Sequence, residues 1–353
     1  MAPASQALGT RVGEEGLACV YSGPEISVGV SKSWGMHRTC MVIRKGCLLE
    51  SLDYTRNQKS VSMNYKRLTL GSLIALWSFL LCLGGTGCSS LVEKKVSGFA
   101  ANFTEAIRDN DDPVIVEQGI PSYLLIMDAL VRNNPEQISA WQAAASLNSA
   151  YASSFVRDAD RAKLLHDKAM SYGFKALCLR EARLCHPREL PLDMLAPMLQ
   201  KMERDDVSLL FAVAGSWAGW IQSHSEDWSA VADLSRVELL VKRVIELDAH
   251  FEQGMPYLYL GVLATVLPPA LGGRPEEGKA HFEKAIALSE GKNLMAKVYF
   301  ARQYARGVFD RELHDRILNE VMAAEPHAQS FTLSNLLARR EAEALLRSAD
   351  DYF

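Results

Sequence analysis

From residue 88 to the carboxyl terminus the apolar residues of this chain recur at helical spacing, and nowhere do they alternate. Val237, Leu240, Val241, Val244 and Ile245 fall at i, i+3, i+4, i+7 and i+8, the stripe of a helix with one buried face. Leu313, Ile317, Leu318 and Val321 repeat the pattern, and Leu333, Leu336, Leu337 and Leu345 form a third stripe. Without a period-two segment there is nothing from which to build a sheet, so the reading is all-α. Breaks at Asp112-Pro113, Gly119-Ile120-Pro121, Asn134-Pro135, His186-Pro187, Pro268-Pro269, Gly272-Gly273 with Pro275, and Glu325-Pro326 cut the chain into about eleven or twelve helices of ordinary length.

The helices also repeat. Lys168-Ala169-Met170, Arg243-Val244-Ile245, Lys284-Ala285-Ile286 and Glu320-Val321-Met322 occupy equivalent places in four amphipathic helices. Their central residues are 75, 41 and 36 residues apart, close to a period of about 34 with insertions, the length of a tetratricopeptide repeat. Trp141, Ala145, Leu147 and Tyr151, with Ala162 and Ala169 beyond, resemble one unit, and His281-Phe282-Glu283-Lys284-Ala285 the second helix of another. The reading is a degenerate superhelical array of helix pairs over 88–353, with an irregular α-bundle as the alternative. In either, each pair leaves an apolar face that only its neighbours bury. Small residues such as Ala143-Ala144-Ala145-Ser146 and Ala212-Val213-Ala214-Gly215-Ser216 permit close crossings.

Ahead of the array lies a different kind of segment. Lys66-Arg67, the apolar run 68–83 and Gly85-Thr86-Gly87-Cys88 have the order of a secretory signal ending at a small-residue cleavage site, with Cys88 as the residue that takes lipid. A transmembrane anchor is the competing reading; the short run, interrupted by Ser72 and Ser78, favours the signal over 63–87. Gly85 departs from the aliphatic residue usual at that position. Residues 1–62 fit nothing downstream and are expected to be disordered or to precede a true start at Met63. The first 87 residues hold nine of the 38 Lys and Arg and five of the 42 Asp and Glu, leaving the rest at a net charge of −8. That balance, with no basic run among aromatics, argues against nucleic acid as a partner.

A search for chemistry returns little. The sequence has no nucleophile elbow, no phosphate-cradling glycine loop, no HExxH and no paired CxxC, so neither an enzyme nor a cofactor or metal site is expected. His166, His186, His224, His250, His281, His314 and His327 are scattered and read as surface residues. Asp111-Asp112 and Asp205-Asp206 precede apolar helices and read as caps. Cys178 and Cys185, seven apart in a segment that reads as one helix, would be separated by roughly 10 Å, beyond disulfide reach.

Two segments stand out. Trp217-Ala218-Gly219-Trp220 with Trp228 places three of six tryptophans within twelve residues, as core packing or as the wall of an apolar cavity or interface. Leu267-Pro268-Pro269-Ala270-Leu271-Gly272-Gly273 is a rigid turn after an unusually apolar helix, 257–266. The candidate lining residues are therefore Trp217, Trp220, Tyr257, Val266, Leu267, Pro268, Pro269, Leu271, Gly272 and Gly273, taken from composition.

The order Trp217-Ala218-Gly219-Trp220-Ile221, then 237–248, then Gly254, Tyr257 and Leu260-Gly261, then Leu271-Gly272-Gly273, Phe282-Glu283-Lys284-Ala285 and Tyr299-Phe300-Ala301 resembles the TatT family, of the spirochaetal type. These are tetratricopeptide-containing lipoproteins that serve as T-components of tripartite ATP-independent periplasmic (TRAP) transporters. The resemblance implies a non-enzymatic periplasmic protein held to the membrane by lipid on Cys88. It also implies a homotrimer with a channel through each subunit and a TRAP-type substrate-binding protein as partner, the cargo being a hydrophobic small molecule. The alternative is an envelope scaffold that binds proteins and no small ligand. An enclosed apolar cavity would favour the first and an open concave groove the second.

Overall fold

The structure, a computed structural model, describes residues 102–353; Cys88, the signal segment 63–87 and residues 1–62 lie outside the described residues. After a helical stretch at 102–108, helices start where the sequence supplies caps. Asp112 accepts from the backbone N–H groups of Val114 and Ile115 and, with Pro113 at the first position, opens α1 (Pro113–Asn133). Asp158 does the same through Arg161 for α3 (Ala159–Arg180), Asn293 for α9 (Leu294–Tyr299) and Asp310 for α10 (Arg311–Ala323), each satisfying an amide that no helix bond reaches. Between them lie α2 (Ile138–Phe155), α4 (Leu192–Leu199), α5 (Val207–Ser223), α6 (Leu234–Leu247), α7 (Met255–Thr265) and α8 (Pro275–Leu288), and α11 (Thr332–Arg347) follows α10. No strand occurs among the described residues, as the missing period-two pattern requires.

Packing is mostly between chain neighbours: α1 on α2, α2 on α3, α3 on α5, α5 on α6, α6 on α7, α7 on α8, and α10 on α11. Stacked helix pairs bury their faces in this way. The four residues matched by spacing, Ala169, Val244, Ala285 and Val321, are each at most 1% exposed, so the repeated position is a core position. One apolar cluster centres on Leu177, Leu210, Val213, Trp217, Val237 and Val241, a second on Phe282, Leu294, Val298, Leu318 and Val321.

A third cluster closes the array on itself. Leu333 of α11 packs with Val116, Ile120 and Leu124 of α1 and Tyr151 of α2. Beside it the Ser330 amide donates to the Asp109 carboxylate, and Arg108 reaches Glu252 at 2.7 Å. Residues 108 and 109 thus tie the start of the described chain to residues 252 and 330.

Three expectations fail for local reasons. Gly119-Ile120-Pro121 breaks nothing, because α1 runs through Pro121. The bond lost there is to the carbonyl of Glu117, an exposed residue, and burial of Ile120 and Leu124 offsets a cost of about 3 kcal/mol. Cys178 and Cys185 form a disulfide, with Cα atoms 4.1 Å apart, because α3 ends at Arg180. Glu181 is extended (φ −146°, ψ 105°), and its carboxylate accepts from the Arg183 amide to cap the single turn Ala182–Leu184, which folds the chain back. His166 and His314, read as surface residues, are buried, at 4% and 0% exposure: each lies on the inward stripe of an amphipathic helix.

Candidate functional site

Helix α5 starts at a buried carboxylate. Asp206 accepts from the Glu203 amide at 2.9 Å and takes both arms of Arg180, at 2.6 and 3.0 Å; of the pair Asp205-Asp206 the second closes the turn Arg204–Asp206 and holds an ion pair, and its side chain does not cap α5. Along α5, Trp217 and Trp220 point into the first core cluster. The Trp217 indole donates to Asp233 at 3.1 Å and meets the Phe174 ring edge-on. The Trp220 indole donates to Asp167 at 2.8 Å, with His224 stacked on one side and the Arg188 guanidinium 4.2 Å from its centroid. Two surface clefts flank this region, one of about 540 Å³ bordered by Phe174, Cys185, Arg188 and Arg236 and one of about 530 Å³ bordered by Lys163, His224 and the exposed Trp228.

Tyr257 and the turn after α7 lie elsewhere. Tyr257 is partly exposed with its ring 6.2 Å from His281. Val266 and Leu271 are exposed at 45% and 52%, as are Pro268, Pro269 and Gly272, while Leu267 and Gly273 are partly covered. The turn is closed by Leu271 and Gly273 amides donating to the Pro268 carbonyl, and by the Arg274 amide donating to Ala264 at 2.7 Å. Arg274 then pairs with Glu238 of α6 at 2.8 Å. The turn is an outward connector, and the fold does not gather it with the two tryptophans.

Another group of aromatic residues does converge. At about 100° per residue, Phe211, Gly215 and Ala218 share a side of α5 roughly opposite Trp217 and Trp220, and all three keep partial exposure between the exposed Ser208 and Gln222 near its two ends. Facing them, Tyr259 of α7 meets Phe211 edge-on at 5.0 Å, and Phe211 in turn meets Phe251 at 5.4 Å. The backbones of α5 and α7 do not pack along their length; Phe211 and Tyr259 make the contact between them, with the Tyr259 phenol against Gly215.

Leading into α7, Glu252 and Gln253 both take left-handed backbone conformations, followed by Gly254 at φ 91°. This unusual run holds Phe251 against Phe211 while Glu252 turns to Arg108. Burial pushes the Tyr259 phenol above its ordinary range, and Tyr299 and Glu252 add in the same direction. Composition placed Tyr259 in an apolar helix at 257–266; its contact with Phe211 joins helices 40 or more positions apart, which spacing alone does not reveal.

Helix α1 exposes one apolar face among the described residues. Ile115, Leu125, Ile126 and Leu130 are exposed, Leu125 at 71%, opposite the buried Val116, Ile120, Leu124 and Val131. By length and composition α1 could cross a bilayer, but one of its faces packs on α2 and α11.

A family model described as TRAP transporter T-component (TAtT) matches residues 109–353. No curated protein matches the chain.

Proposed function

The chain belongs to the TRAP transporter T-component family, and from that premise we propose that it is a non-enzymatic accessory of TRAP uptake, working with a TRAP-type periplasmic substrate-binding protein to pass a hydrophobic small molecule. The family match over 109–353 carries the transport role. The cluster of Phe211, Phe251 and Tyr259 rings between α5 and α7 is in keeping with an apolar cargo, since sites for such molecules combine aromatic walls with few polar groups. In this reading the protein resides in the periplasm, tethered through lipid on Cys88. The Cys178–Cys185 disulfide supports an oxidising compartment. The uncovered face of α1 serves self-association into a homotrimer, because closed symmetry is the usual outcome of a repeated self-contact. Tetratricopeptide-like pairing is the architecture on which this rests.

The deciding experiment mixes the purified mature chain with the TRAP-type substrate-binding protein of the same organism. Sedimentation is expected to show a trimer that shifts on mixing, and mass spectrometry of extracted small molecules an apolar compound. Monomers at all concentrations, with no shift and no bound compound, would refute the proposal and favour an envelope scaffold.

A further inference from the structure

We infer that the surface cleft of about 540 Å³ between residues 185–189 and 229–236 is a binding site for a small, singly charged oxyanion group such as a carboxylate, held by the planar edge of Arg188. The site lies on the tryptophan side of α5, away from Phe211 and Tyr259, and goes beyond the transport reading without resting on it.

The floor of the cleft carries more positive charge than it neutralises. Asp233 is buried, and its carboxylate accepts from Arg188 Nε at 2.5 Å, from Arg236 Nη1 at 3.3 Å and from the Trp217 indole at 3.1 Å. Two guanidinium groups thus share one anion. Arg236 spends its other arm on the Leu190 carbonyl at 3.0 Å, a neutral acceptor, and its Nε is closed off without a partner. Asp233 also stands at the start of α6, yet its side chain makes no cap bond there. The first amides of α6 go without that cap and add to the positive field.

Arg188 is the arm that can take a ligand. Its Nε is committed to Asp233, and its guanidinium lies 4.2 Å from the Trp220 centroid, so the plane is fixed before anything binds. Among the described residues no hydrogen bond takes its two Nη groups, and a third of the side chain stays open at the border of the cleft. A carboxylate accepts two parallel N–H bonds from such an edge, and little rotamer freedom remains to be lost.

Charge limits the class. Glu189 borders the same cleft and is exposed. Asp227 is near as well, its carboxyl held below the ordinary range by hydrogen bonds from Ser229 and, less strongly, by Arg188. Among the described residues neither acid pairs with Arg188 or Arg236, so both act through screening solvent. A singly charged group matches the one surplus cation, whereas a dianion meets the opposition of these acids twice over.

The test titrates benzoate, its neutral isostere benzamide and inorganic phosphate at pH 8 into the mature protein by calorimetry. Wild type is expected to take one benzoate per chain, about tenfold more tightly than either of the others, with an affinity that falls as salt rises. Arg188→Lys keeps a cation for Asp233 but loses the planar edge, and is expected to weaken benzoate about tenfold while the helical dichroism is unchanged. Glu189→Gln, at an exposed position, is expected to strengthen benzoate about twofold with no change in stability. Absence of saturable benzoate binding, benzamide or phosphate binding as tightly as benzoate, full affinity in Arg188→Lys, or no gain in Glu189→Gln overturns the assignment, and each leaves the transport reading untouched.

Discussion

Acid should weaken this fold through one imidazole. His166 lies on α3 where it crosses α5 so closely that a Cβ on Gly219 would stand 2.5 Å from its Nδ1, and that nitrogen has no partner. Burial holds the ring down to about 4 from the usual 6.5, against the opposing pull of Asp167 and with a smaller push from His224. A base depressed in the folded state is neutral there while the unfolded chain already binds a proton. Stability is therefore complete above about pH 6.5, declines as pH falls towards 4, and changes no further below that through this group. For values of 6.5 and about 4, linkage gives a loss of about 2 kcal/mol between pH 7 and pH 5. Urea unfolding of wild type and His166→Gln at both pH values isolates the effect, since the carboxylates are common to both proteins. Wild type should lose about 2 kcal/mol more than the variant over that interval. An equal loss in the two, or a His166 proton resonance titrating near pH 6.5, would refute the reasoning.

Other outcomes follow from the same contacts. Gly219→Ala should cost about 1–3 kcal/mol in chemical unfolding, since the added carbon collides with a buried ring rather than a mobile side chain. Replacing both Cys178 and Cys185 by serine should lower stability by about 2 kcal/mol in non-reducing urea titrations, and reductant should leave that variant unaffected. Val266→Glu and Leu271→Glu, half in solvent, should stay within about 0.5 kcal/mol of wild type, whereas Leu318→Ala, fully buried, should cost about 2–5 kcal/mol. Cys88→Ala should move the protein from the membrane to the soluble periplasmic fraction, as read by fractionation and palmitate labelling.

The helices and their core stripes were legible because burial of one face imposes a period on the sequence: Val237 to Ile245 announced α6, and Ala169, Val244, Ala285 and Val321 their shared position. What depended on local chain reversal was not. No Gly or Pro marks the end of α3; a carboxylate on Glu181 that caps the next turn does the work, and the disulfide follows from it. His166 carried a polar label while standing on a buried stripe. The tryptophan cluster and the turn at 267–273 were conspicuous in composition, yet rarity in sequence reports neither direction nor neighbours. Gly215 was legible as a small residue that permits a close approach, but not the Tyr259 phenol that lies against it, a relation between segments 44 positions apart.

Closure of the array has a consequence for how the protein is made. The hydrogen bond joining residues 109 and 330 spans nearly the whole described chain, and Leu333 completes the cover over Val116, Ile120 and Leu124. A polypeptide emerging amino end first makes α1 early but must wait for α11 before that face is fully shielded. Non-local contacts of this reach form late, because closing so long a loop must precede any gain from it. A helix made early is thus among the last to be finished, and until then it offers water an apolar surface on both of its sides, the kind of nascent species that needs escort against aggregation.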